Sequence, residues 1–289
     1  MRILDTIAQV RRALAEPRRA GRTIGLVPTM GAFHEGHLSL IRRAREECDV
    51  VVVSLFVNPA QFNDPADLTA YPRDDKRDAA LAERLGVDYL FAPAVDEVYP
   101  PGFATNVSVG GVTETLEGAH RGRGHFDGVT TVVTKLLNIV GPHAAYFGQK
   151  DAQQAAVIKR LVRDLDMPVR IEVCPTVREP DGLALSSRNA HLSPTERARA
   201  AALSRALRAV EEAVSSGERD PAAARARALA ELEADQIDPD YIELVAADTL
   251  APVGTIDGDV LALIAARVGS TRLIDNHLIQ ANQTGNGRP

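Results

Sequence analysis

The chain has 289 residues, 45% hydrophobic and 25% charged, a balance that belongs to globular proteins and gives room for one large or two ordinary domains. Its formal charge of −6 argues against the basic face of a nucleic-acid binder, and no apolar run reaches membrane-spanning length. Cys48 and Cys174 are too few for a disulfide framework or a zinc knuckle and sit in or beside apolar runs, so both are expected as buried free thiols.

In chain order, Met1 to Arg22 alternates Ile3, Leu4, Ile7, Val10 and Leu14 with arginines and acids. That pattern predicts a surface amphipathic helix rather than a signal peptide, and with it a cytoplasmic location. Thr23 to Val27 reads as a short strand, Pro28 to Phe33 as a tight turn, and the spacing of Leu38, Ile41 and Ala44 as a helix that opens at His34 and His37. Val50 to Val57 is a continuous β-branched run, the mark of a strand buried on both faces. Helix is expected over 74–85, strand over 87–91, helix over 128–140, strand over 144–147, helix over 151–165 and strand over 169–174. Such β-α-β alternation requires a parallel sheet covered by helices.

The pattern changes near Thr176. Arg178 to Gly182 is turn-rich, and Ser193-Pro194-Thr195-Glu196 is a capping box that opens a long helix ending near Gly217. Asp220-Pro221 opens another helix, and short apolar runs follow at 241–245, 260–264 and from 272 towards 279. The expected organisation is a sheet domain over 1–176, a small α+β domain over 177–279, and a polar tail over 280–289 without fixed structure.

In an open parallel sheet the loops after the strands gather at one edge, where ligands bind. His34 and His37 fall in such a loop, at a helix start whose free N–H groups and dipole favour an anion, with Gly31 and Gly36 allowing close approach. Phosphate chemistry is the leading reading. Metal ligands one helical turn apart and plain structural histidines are the alternatives, although zinc proteases place one more residue between their histidines. Other strand ends supply Asn58, Pro59 and Gln61, then Gly148, Gln149, Lys150 and Asp151 ahead of Gln153 and Gln154, then Pro175, Thr176 and Val177.

Lys150 is one of only four lysines among 33 basic residues, and its compact charge at a helix start suits a phosphate oxygen. One more solvated cation is the bland alternative. Ser186, Ser187 and Arg188 are suited to clamping a polyphosphate, or equally to a helix cap with a surface arginine. No P-loop is present, and Gly122-x-Gly124-x-x-x-Gly128 has the wrong spacing for a dinucleotide fingerprint.

Segments 28–37, 54–62, 71–78, 124–133, 146–154, 175–189 and 271–276 together resemble the pantothenate synthetase family, from about Gly25 to Asn276. The resemblance implies an α/β enzyme with a Rossmann-like N-terminal domain and a smaller C-terminal lid, usually a homodimer. It would join pantoate to β-alanine using ATP, with Mg²⁺, and release AMP and pyrophosphate through a pantoyl adenylate. Residue by residue, it implies that His34, His37, Lys150, Ser186, Ser187 and Arg188 contact ATP phosphates and carry the catalysis. Gly148, Asp151 and Val177 would lie along the adenosine, with Pro28, Thr29, Met30 and Leu185 completing the ATP set. Met30, Gln61 and Gln154 would line the pantoate pocket, and Asp78 matches the acid that helps hold Mg²⁺.

The chain departs from that family in three places. Gly122-Arg123-Gly124-His125 stands where members commonly read Arg-Pro-Gly-His, which displaces the arginine to Arg121 or Arg123. Arg77 stands where some relatives carry an acid, and Leu185 replaces a common methionine. A nucleotidyltransferase acting on a phosphorylated substrate is the alternative enzyme, and an ATP sensor the alternative from another class. Gln61 and Gln154, in place of a basic pocket, argue against the first.

Overall fold

The computed structural model describes residues 1–280, so the expectation for the polar tail falls, for 281–289, outside the described residues. They form two compact units, one of residues 1–149 with 153–175, the other of 150–152 with the described residues from Thr176 onward.

The first unit carries β1 (Arg2–Leu4), β2 (Ile24–Thr29), β3 (Val50–Leu55), β4 (Tyr89–Phe91), β5 (Ala144–Gly148) and β6 (Arg170–Cys174). They form one sheet in the order β1-β4-β3-β2-β5-β6, every pair parallel. Its helices are α1 (Ile7–Arg19), α2 (Glu35–Glu47), α3 (Pro65–Ala70), α4 (Asp75–Arg84), α5 (Val95–Val98), α6 (Glu117–Arg121) and α7 (Arg123–Val140), with most of α8 (Ala152–Asp164).

Side-chain alternation sorts the strand residues onto two faces. Ile24, Leu26, Val50 and Val52 pack with Val10 and Leu14 of α1, and with Val129, Val133, Leu136 and Val140 of α7. Val27, Val51, Val53 and Leu55 pack on the other face with Leu40, Ile41 and Ala44 of α2 and Ala82 of α4. Both faces are therefore buried, which is why these strands read as unbroken apolar runs. Cys48 and Cys174 are buried free thiols in the second cluster, and burial pushes the Cys174 thiol up.

The chain builds outward from β2 to β3 and β4, then returns to place β5 on the other side of β2. β2 is thus the switch point, where two strand ends diverge and leave a crevice for a ligand. Gly25 pairs with Ala144 in parallel register, so the ends of β2 at Thr29 and β5 at Gly148 emerge at one edge.

The second unit contains α9 (Pro194–Ala200), α10 (Ala202–Ser215) and α11 (Pro221–Ala234), with β7 (Pro239–Ala246), β8 (Val260–Val268) and β9 (Thr271–Ile279) in an antiparallel meander. Leu203, Leu207 and Val210 of α10 pack with Ala224, Ala228 and Leu232 of α11 and with Val260, Ala262 and Ile264 of β8. Ser193 and Glu196 do form the expected capping box. The single helix expected as far as Gly217 is two, interrupted at Ala201. β1, only three residues long and formed by pairing with β4, has no counterpart in the sequence reading.

Gly128 of α7 marks a close approach of two backbone segments. A Cβ there would lie 2.2 Å from the carbonyl oxygen of Ala60 and 2.7 Å from the amide nitrogen of Gln61, both backbone atoms of the 3₁₀ turn Pro59–Gln61. Gly128→Ala is expected to destabilise the fold by about 1–3 kcal/mol through overpacking, read by urea unfolding. A variant as stable as the parent would show that this turn yields freely.

Candidate active site

The loop from β2 to α2 is held in a conformation that most residues avoid. Gly31 has φ +89° and Ala32 φ +52°, two successive left-handed residues that reverse the chain just before His34. A side chain at Gly31 would meet Leu55 Cδ1 at 2.8 Å and Asp78 Oδ2 at 3.1 Å, which adds crowding to the positive φ that favours glycine. Asp78 on the first turns of α4 holds this loop: Ala32 N–H donates to its Oδ2 at 2.7 Å and Phe33 N–H to its Oδ1 at 2.9 Å. Arg77 adds a third tie, from Nη1 to the Phe33 carbonyl at 3.1 Å, and stands 3.7 Å from Asp78 Oδ1.

His34 then caps α2. Its Nδ1 accepts from Gly36 N–H at 3.2 Å, and His37 Nδ1 accepts from His34 N–H at 3.4 Å, a capping box built from two imidazoles. The rings stand 4.2 Å apart between centroids. A neutral imidazole that accepts at Nδ1 carries its proton on Nε2, so this bonding makes both Nε2–H groups donors. Donors of that kind, at a helix start whose dipole favours negative charge, suit phosphate oxygens. Behind them, Thr29 is buried with its hydroxyl donating to Ser54 O at 2.6 Å, while Pro28 and Met30 are half-buried.

Asn58, 1% exposed, organises the strand end after β3. Its Nδ2 donates to Gln61 Oε1 at 2.9 Å and to Gly128 O at 3.1 Å, and its Oδ1 accepts from Tyr99 Oη–H at 2.8 Å. Burial pushes the Tyr99 phenol up to about 12, so it stays a donor across the physiological range. The Gln61 carbonyl is also paired with His125 Nδ1 at 2.8 Å. Sequence reasoning missed the roles of Asn58 and Tyr99, because 41 residues separate them. Beside this turn lies a cavity of about 450 Å³, lined among others by Ala60, Tyr99, Phe103, Asn106 and Asp127, and by none of the expected site residues.

Gln153 and Gln154 differ in their surroundings. Gln153, 3% exposed, donates to Val112 O and Thr115 O and accepts from Glu117 N–H, so it staples the 112–117 segment. Gln154 is half-buried. Arg121 Nε donates to Glu117 Oε2 at 3.0 Å, whereas Arg123 is exposed beside Ser108 and Asp127.

In the second unit, Lys150 Nζ lies 3.6 Å from the Asp151 carboxylate. Val177 and Leu185 face each other across a hairpin, with Leu185 N–H donating to Val177 O at 2.9 Å. The chain then enters the 3₁₀ turn Ser187–His191, which Ser186 caps by accepting from Arg188 N–H at 3.3 Å. Ser186 and Ser187 are half-buried and Arg188 is exposed.

Asp78, for which the resemblance implies a part in holding Mg²⁺, is 0% exposed, and each of its oxygens already accepts a backbone amide. That arrangement does not fit a metal ligand. Among the described residues no group of three or more His, Cys, Asp or Glu is placed to hold a metal ion, and no helix is long and apolar enough to cross a membrane.

A parallel sheet whose strand order reverses at β2, with a helix start at that point, defines the class: an α/β fold of the kind whose ligands bind at the strand ends. The family model for pantoate-beta-alanine ligase matches residues 2–278, and the chain belongs to that family. It is 56% identical over 274 residues to pantothenate synthetase of Cereibacter sphaeroides, covering 95% of this chain and 98% of that protein. With pantothenate synthetase of Moorella thermoacetica it shares 55% over 283 residues, 98% and 100% of the two chains. Among solved structures, pantothenate synthetase from Thermus thermophilus superimposes with a TM-score of 0.90 at 48% identity, covering 96% of this chain and 99% of that one. The pantoate-beta-alanine ligase from Francisella tularensis, complexed with beta-gamma ATP and β-alanine, superimposes with 0.80 at 37% identity, covering 96% and 97%.

Asp78→Asn turns one acceptor towards the loop into a donor facing a backbone N–H. It is expected to cost about 1–3 kcal/mol of stability. By shifting His34 and His37 it should also lower kcat by roughly 100-fold, the effect of ångström-scale misplacement. Urea unfolding and steady-state kinetics on one preparation check both, and unchanged kcat would contradict the positioning role.

Proposed function

We propose that this chain condenses pantoate with β-alanine, using ATP and releasing AMP and pyrophosphate, to form pantothenate. The observation that carries this reading is the match of the pantoate-beta-alanine ligase model over residues 2–278. The ligands of the Francisella protein support ATP and β-alanine as the co-substrates.

A free carboxylate resists an amine, because its charge repels the nucleophile and oxide is a poor leaving group. In the proposed route a pantoate carboxylate oxygen attacks the α-phosphorus of ATP, and the bond to the bridging oxygen breaks to release pyrophosphate. The β-alanine amine then attacks the acyl carbon, AMP leaves with the oxygen it received, and the new amide nitrogen loses its extra proton. No protein nucleophile is required, so the protein's part is positioning and the stabilisation of charge on phosphate oxygens.

His34 and His37 would donate Nε2–H to those oxygens, with Lys150, Ser186, Ser187 and Arg188 as further phosphate contacts. Pro28, Thr29, Met30, Gly148, Asp151, Val177 and Leu185 would contact the rest of ATP. Gln61, oriented by Asn58, would share the pantoate pocket with Met30 and Gln154; neutral amides suit the hydroxyl groups of a substrate better than they would suit a phosphate on it. Asp78 is occupied by the backbone amides of Ala32 and Phe33 and would not serve as a protein ligand to Mg²⁺. The ion would accompany ATP through the phosphate oxygens. The family resemblance supports a homodimer with the C-terminal unit as a lid, and the amphipathic pattern of Met1 to Arg22 supports a cytoplasmic location.

The test is AMP release that requires pantoate and β-alanine together. Lys150→Ala is expected to lower kcat roughly 100- to 1,000-fold with the melting temperature unchanged. Lys150→Arg should restore little, since a planar fork does not replace a compact charge. Near-normal turnover in Lys150→Ala would contradict the assignment.

A further inference from the structure

Asp275 and Asn276, adjacent on β9, are each 3% exposed, although polar residues are costly to bury without partners. Both find partners within the second unit. Among the described residues β9 is an edge strand, paired on one side with β8. Arg178 fills part of its open edge: Nη1 and Nη2 donate to the two Asp275 carboxylate oxygens at 2.6 and 3.0 Å, and Nη2 also reaches the Asn276 carbonyl at 3.2 Å. The Asn276 N–H donates back to Asp275 Oδ1 at 2.7 Å. The Asn276 side chain then donates from Nδ2 to the backbone carbonyl of Lys150 at 2.9 Å, across 126 residues of sequence.

Arg178 is also an end of the hairpin that leads to Ser186. It donates to Gly182 O at 3.1 Å, at the turn where Gly182 takes φ +92°, and it bridges Ala184 on the opposite arm. Asn189 Nδ2 closes the far side on Ala184 O at 3.1 Å. One dipeptide of β9 thus reaches both Lys150 and the hairpin that delivers Ser186, Ser187 and Arg188. Segment 150–152 belongs to this unit although the residues on either side of it belong to the other.

We propose that Asn276, braced by the Asp275–Arg178 pair, is a positioning residue for the established family reaction: it fixes the Lys150 backbone so that the ammonium group is presented in register with the Ser186–Arg188 turn. The proposal rests on the reading of Lys150 as a phosphate contact. Asn276 touches no substrate and acts through Lys150. Its bond is to a main-chain atom, so the Lys150→Ala substitution leaves the contact in place and removes only the side chain that the contact aims. That separates aiming from holding.

The experiment is a double-mutant cycle on the full chain, read as pantoate-dependent exchange of labelled pyrophosphate into ATP. Asn276→Ala is expected to lower the exchange rate roughly 10- to 100-fold, as loss of an orienting partner does elsewhere, with KM for β-alanine in the full reaction unchanged. In the Lys150→Ala background the same change should cause no further loss, since the group it aims is gone. Asn276→Ser, which also cannot reach the carbonyl, should reproduce the result. Losses that multiply in the double variant, or full activity in Asn276→Ala, would overturn the proposal. Failure of both Asn276 variants to fold would make the residue structural and overturn it equally. Full activity in Lys150→Ala alone would instead remove the reading beneath it, which the cycle distinguishes.

Discussion

A carboxylate withdrawn from water holds a turn with two successive left-handed residues. Burying Asp78 is costly unless its charge is compensated, and the compensation comes from two backbone N–H groups and the nearby Arg77 guanidinium. Those amides belong to Ala32 and Phe33, so the bonds that stabilise the acid also fix a left-handed residue that alanine alone would not favour. The conformation that follows sets His34 as the cap of α2 and packs the His37 ring against it at a tilt of 46°. Nδ1 of each ring is engaged by a backbone amide, and the tautomer that leaves Nε2 as the donor is a consequence of that turn.

The same economy recurs at the other strand ends. Asn58 orients Gln61 while accepting from Tyr99, and Gly128 brings the α7 backbone against the turn that carries Gln61. Gln61, a side chain with an expected part in binding, is thus held by the buried amide of Asn58 and by the α7 backbone packed against its turn. Such preorganisation is what a reaction without a protein nucleophile requires, because its rate depends on where donors stand when charge moves.

Much of this was legible in the sequence where local physics decided it. The β-branched run at Val50 and the apolar strands at Ile24 and Ala144 revealed a parallel sheet, because burial on both faces leaves no alternation. His34 and His37 were legible because a strand, a glycine turn and a helix start follow in order. The break at Ala201 was not, since alanine favours helix on both sides of it. The Asp78 grip spans 46 residues and the Asn276 bond 126, and no periodicity reports a contact between residues so far apart. The acid at position 78 was legible as an acid; that its oxygens face the amides of Ala32 and Phe33 is a tertiary fact.

In the proposed reaction this scaffold activates a carboxylate by transferring a nucleotide to it. Pantoate carrying oxygen-18 in its carboxylate tests this most directly, with the products analysed by mass spectrometry. The account predicts one labelled oxygen in AMP for each amide formed, because the amine displaces AMP together with the oxygen that attacked the α-phosphorus. Label in inorganic phosphate, with ADP as the co-product, would contradict it.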